Sequence, residues 1–159
     1  MNRPRWMQQP LVHASRSAVA GIVALTIARL FHLPEPYWAC ITTFVVLQTK
    51  LGPTLTVSWQ GLAGTALGAA MGALLSIYFG PKLLVFGVGV LVIGLICAIL
   101  RLANSDRMAN ITLAIVLLIV HNESPAMIAI HRFLEVSIGI VVALAVTAVW
   151  EEADSPVAA

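Results

Sequence analysis

Five short clusters, Pro34-Glu35-Pro36, Gly52-Pro53, Gly80-Pro81, Asn104-Ser105-Asp106 and Asn122-Glu123-Ser124-Pro125, cut the chain into six runs that are almost wholly apolar. Residues of these types end or start helices. The breaks are so short that the helices on either side must be antiparallel neighbours. With 60% hydrophobic and 10% charged side chains over 159 residues, the chain cannot cover a water-facing surface with polar atoms. A hydrocarbon core about 30 Å thick takes roughly 20 helical residues per crossing. The reading is therefore an all-α membrane protein of about six transmembrane helices, a single membrane domain over residues 1–159 with no soluble domain. The predicted spans lie near residues 11–33, 37–48, 55–78, 83–100, 108–120 and 127–150.

The basic start followed by an apolar run is read as a retained first span, because Arg16 and Arg29 interrupt it and no small-residue cleavage site follows. If the N-terminus is cytoplasmic, Arg3, Arg5, Arg16, Lys50, Arg101 and Arg107 fall inside, and Arg29, Lys82 and Arg132 outside. That asymmetry predicts both termini on the cytoplasmic face. Cys40 and Cys97 read as small packing residues. The net charge of +2 has no basic cluster behind it, so membrane lipid and not nucleic acid is the expected surroundings. No metal-ligand spacing, phosphate loop or serine nucleophile motif occurs, which predicts no cofactor and no enzyme.

The chain also repeats itself. Cys40 to Leu47 (Cys-Ile-Thr-Thr-Phe-Val-Val-Leu) returns as Asn110 to Leu117 (Asn-Ile-Thr-Leu-Ala-Ile-Val-Leu), 70 positions on, and Gly68 returns as Gly139, 71 positions on. Two halves, about residues 11–79 and 81–150, with three spans each must be inverted relative to one another. The second and fifth spans are too short: as helices they reach only about 17 and 20 Å. Short or broken segments at matching places in two halves point to a substrate site; plain helices with deeper polar ends are the alternative.

Polarity inside the apolar runs marks candidate residues. Arg16 lies in the first span, where it either snorkels outward or serves a function. His131, Arg132 and Glu135 share one face of the sixth span, so the carboxylate can reach either partner. This is either a structural ion pair or a group that exchanges protons and steers anions, with His131 and Glu135 as proton-coupling candidates. Tyr37, Trp38 and Gln48 in the second span supply aromatic and hydrogen-bonding surface. Gly61, Gly64, Thr65, Gly68 and Gly72 put a smooth face on the third span, and Gly139 one on the sixth, for close helix packing. In the repeat, Gly61 corresponds to Arg132 and Gly64 to Glu135, so one copy is built for packing and the other carries charge.

Pro36-Tyr37-Trp38-Ala39, Leu47-Gln48, Gly52, Thr54, Ser58 and Gly64-Thr65 with Gly68 resemble the fusaric acid resistance-like family of bacterial inner-membrane proteins, which includes aromatic acid exporters. The resemblance covers nearly the whole chain. Arg16 sits where that family tends to have an arginine, and Arg132 to Gly139 resembles its arginine–x–x–glycine–threonine–x–x–glycine signature in degenerate form. Gly61 stands where the first copy of the signature has arginine. The resemblance implies efflux of small organic or aromatic carboxylates across the inner membrane, with Arg16, Tyr37, Trp38, Gln48 and Arg132 as candidate substrate-binding residues. It also implies a homodimer or higher homo-oligomer. An organic-anion channel and a non-transporting scaffold are the competing readings.

Overall fold

The structure, a computed structural model, describes residues 5–47, 51–102, 105–119 and 124–150. Among these residues there are six helices and no strand: α1 (Arg5–Leu30), α2 (Tyr37–Val46), α3 (Leu51–Phe79), α4 (Leu83–Ile99), α5 (Ser105–Leu118) and α6 (Pro125–Val149). The breaks between helices lie at or near the expected punctuation, while α1 begins at Arg5, ahead of the expected start near residue 11. Two of the described stretches, Gly52–Phe79 and Pro125–Val149, are long and apolar enough to cross a bilayer by length and composition. The 10 residues of α2 and 14 of α5 reach only about 15 and 21 Å. Each is continuous, so they are short and not broken.

Starts and stops have local causes. Pro36 sits at the N-cap of α2, and Ser124 caps α6 by accepting from the Met127 N–H at 3.4 Å, with Pro125 in the first turn. The ends of α1 and α4 are the same device. The Leu33 N–H bonds the Ala28 carbonyl and the His32 N–H that of Arg29; likewise Leu102 bonds Cys97 and Arg101 bonds Ala98. This is the Schellman closure, and it holds His32 and Arg101 at φ of 52° and 53°. A side chain in that left-handed region costs about 1 kcal/mol, so His32→Gly and Arg101→Gly should each raise the thermal midpoint by a few degrees at most.

The six helices pack in pairs that repeat. α1 lies on α2 as α4 lies on α5; α2 lies on α6 as α5 lies on α3; α1 touches α6 as α4 touches α3. Two apolar cores result. One joins Ala20, Ala24 and Ala28 of α1 to Ala39 and Val46 of α2 and Ile140 and Ala143 of α6. The other joins Ile93 and Cys97 of α4 to Ala109, Leu113 and Leu117 of α5, with Leu67, Met71 and Leu75 of α3 against it.

Glycines set the close crossings, two of them at matching offsets in the chain. A Cβ on Gly139 would lie 2.5 Å from the Ala39 carbonyl oxygen, and one on Gly68 would collide with the Ala109 carbonyl. Ala39 and Ala109 are 70 positions apart, and Gly68 and Gly139 are 71 apart. At the first crossing the Thr43 hydroxyl donates to the Ala39 carbonyl at 2.8 Å and to the Gly139 carbonyl at 3.1 Å, tying α2 to α6. Gly64 and Gly72 of α3 are as tightly met, by the Ser105 carbonyl and by the Val116 side chain, whereas Gly61 has room for a methyl beside Ile140.

Candidate functional site

Arg132, 3% exposed on the first half of α6, is held between two carboxylates. Its Nη1 meets Glu135 Oε2 at 3.0 Å, and its Nη2 meets Glu35 Oε2 at 2.7 Å. The spacing of three along α6 places Glu135 on the face of Arg132. Glu35 comes from the connection between α1 and α2, where the flanking prolines limit its backbone. Its N–H donates to Glu135 Oε1 at 3.1 Å, and the Tyr37 hydroxyl donates to its Oε1 at 2.8 Å. The guanidinium carbon also lies 4.1 Å from the centre of the Trp38 ring, a cation–π contact, with Tyr37 tilted beside it.

A paired, hydrogen-bonded charge is tolerable in a low dielectric where a lone one is not. Here the pairing is overcomplete: one cation faces two acids. Glu135 is 1% exposed, while Glu35 retains 24% of its side-chain exposure. The donors are not exhausted either. The Arg132 Nε–H and the Trp38 Nε1–H have no hydrogen-bond partner among the described residues.

Both side chains line a cavity of about 50 Å³ between α2, α3, α5 and α6. Its walls come in matched pairs. Ile41, Thr42 and Val45 of α2 face Ile111, Thr112 and Ile115 of α5, each pair 70 positions apart, and Thr65 faces it with Val136, 71 positions apart. The two short helices thus meet the same small space. The Thr65 hydroxyl, wholly buried, also lacks a partner among the described residues.

The charged cluster itself is not duplicated. Adding 70 to Glu35 and Trp38 gives Ser105 and Met108; subtracting 71 from Arg132 and Glu135 gives Gly61 and Gly64. At that second place Gly64 sits directly against Ser105 and Met108. Where one place in the bundle holds an ion-pair cluster, the place at these offsets is closed by backbone contact.

Of the candidates read from sequence, Tyr37, Trp38, Arg132 and Glu135 come together. His131 is partly buried on α6, next to Arg132 in sequence. Arg16 does not join. It is fully buried on α1, and its Nη1 donates to the Trp150 carbonyl at 3.2 Å, capping the far end of α6 about 27 Å from Arg132 by helical rise. Gln48 lies outside the described residues. Glu35 was missed: its setting between prolines reads as punctuation, and only an acid beside two aromatic residues at a helix start hinted at more. No group of three His, Cys, Asp or Glu side chains among the described residues is placed to hold a metal.

Comparison with known proteins places the chain. It is 33% identical over 112 residues to an uncharacterized protein of Synechocystis sp., covering 67% of this chain and 14% of that protein. Over 64 residues it is 38% identical to the uncharacterized transporter YdhK of Escherichia coli, covering 40% of this chain and 10% of the relative. The inner membrane protein YeeA of Escherichia coli is 27% identical over 150 residues, 89% of this chain and 41% of that protein. The aligned part is thus less than half the length of each relative. No solved structure gives a significant match. The family described as fusaric acid resistance protein-like matches residues 23–146, most of the chain and all of the site described above, and the chain belongs to that family.

Proposed function

We propose that this chain is a transporter of the bacterial inner membrane that exports small organic carboxylates, aromatic ones among them, with Arg132 as the anchor for the carboxylate. The observation that carries the reading is the cavity between the two short helices, lined by residues 70 and 71 positions apart and reached by Arg132 and Trp38. A guanidinium binds carboxylate through two parallel hydrogen bonds, and an indole offers a flat apolar face to a ring. Family membership and the names of two relatives, a transporter and an inner membrane protein, support the class of function.

The repeating contacts, the shared closure of α1 and α4 and the two glycine crossings favour two inverted three-helix repeats, about residues 11–79 and 81–150, crossing the membrane six times. In such folds the substrate sits where the repeats meet. A cavity of about 50 Å³ holds one or two waters and no aromatic acid, so binding requires α2 and α5 to part. That is the behaviour of a carrier rather than of an open anion channel. Glu135 or His131 is the proposed proton-coupling group.

Proteoliposomes containing the full chain and radiolabelled benzoate test the reading. Flux is expected to respond to an imposed pH gradient and to fall at least tenfold in Arg132→Gln, with Trp38→Leu raising KM several-fold. Undiminished flux through Arg132→Gln counts against the site. Flux that ignores the pH gradient but follows voltage favours the channel.

A further inference from the structure

We propose that Glu35 is a tethered carboxylate that occupies the substrate's place on Arg132, and that a substrate carboxylate binds by displacing it. The inference rests on the preceding reading of Arg132 as the carboxylate anchor. The occupancy of the guanidinium leads to it. Both terminal nitrogens of Arg132 are already taken, Nη1 by Glu135 and Nη2 by Glu35. A third carboxylate approaching the same nitrogens would meet the repulsion of the acids already on them. One of the two acids must leave Arg132.

Geometry selects which one. Glu135 is almost fully buried, is fixed on the same helix, and takes both the guanidinium and the Glu35 N–H. Removing it from Arg132 would strand a charge in the interior. Glu35 lies on the connection between helices and keeps part of its surface exposed. Its second oxygen is already held by Tyr37, itself half exposed, so the carboxylate has a partner waiting outside the cluster. Its departure uncovers Nη2 on the side where it lay, while the Trp38 ring stays against the guanidinium. Glu35 is therefore a positioning and specificity element: it keeps Arg132 neutralised when no substrate is present, and it sets a threshold that weakly binding anions do not pass.

Binding of radiolabelled benzoate to the detergent-purified full chain decides the matter, with wild type compared to Glu35→Gln, Glu35→Ala and Arg132→Gln. Loss of the competitor should make both Glu35 variants bind about fivefold more tightly than wild type, the scale of one released ion pair. Arg132→Gln should bind no benzoate. A role of Glu35 in folding alone would weaken binding or leave it unchanged and would not tighten it. Equal or weaker binding in both Glu35 variants, with Arg132→Gln still inactive, overturns the displacement while leaving Arg132 as the anchor. Benzoate binding by Arg132→Gln at wild-type strength, or none in any of the four proteins, overturns the anchor and the displacement together.

Discussion

Arg132→Leu is expected to lower the stability of the folded protein by about 3–5 kcal/mol, because it leaves the Glu135 carboxylate buried without its counter-ion. The two acids respond differently to the loss. Glu35, part exposed and bonded to Tyr37, can turn to solvent; Glu135, 1% exposed, cannot do so without opening the contact between α6 and the start of α2. A second replacement, Glu135→Leu, removes the stranded charge and fills the space with apolar atoms. The double variant should recover most of the loss, since exchanging a buried ion pair for hydrophobic side chains is often neutral or better. Thermal unfolding in detergent reads both. A double variant no more stable than Arg132→Leu would mean that the pair is not the source of the loss. The same double variant should bind no carboxylate, which separates what the cluster does for folding from what it does for function.

The charged end of the bundle was only half legible in the sequence, and the missing half has a physical reason. Arg132 and Glu135 share a helix, so their spacing alone places them on one face. Glu35 reaches them across 97 and 100 positions, and the contact is made by packing that brings the start of α2 onto α6. Local pattern contains no such information. Polarity alone also misgroups: Arg16 and Arg132 look alike as arginines in apolar runs, yet one caps the far end of α6 and the other anchors the near end. Helix limits were more readable, since Pro36 and Ser124-Pro125 act on their own neighbours. The proposed repeat has its clearest sequence mark in Gly68 and Gly139, because each lies where an added Cβ would meet a backbone carbonyl.

Those two glycines carry the other large prediction. Gly68→Ala and Gly139→Ala should each destabilise the protein by about 1–3 kcal/mol, since the added methyl meets a backbone carbonyl that no side-chain rotation can move. Alanine gains about 1 kcal/mol over glycine in helix propensity, so the same change at Gly61, where only the tip of Ile140 is near, should be neutral or stabilising. The contrast separates crossing glycines from the others on the same helix. Function should suffer too, because the Ala39 and Ala109 crossings fix α2 against α6 and α5 against α3, and the cavity is built from these four helices. Comparable losses at Gly68 and Gly139, measured as Tm in detergent, are what two copies of one crossing require. If Gly139→Ala is damaging and Gly68→Ala is silent, the crossings are not equivalent, and the proposal of inverted repeats loses its strongest support.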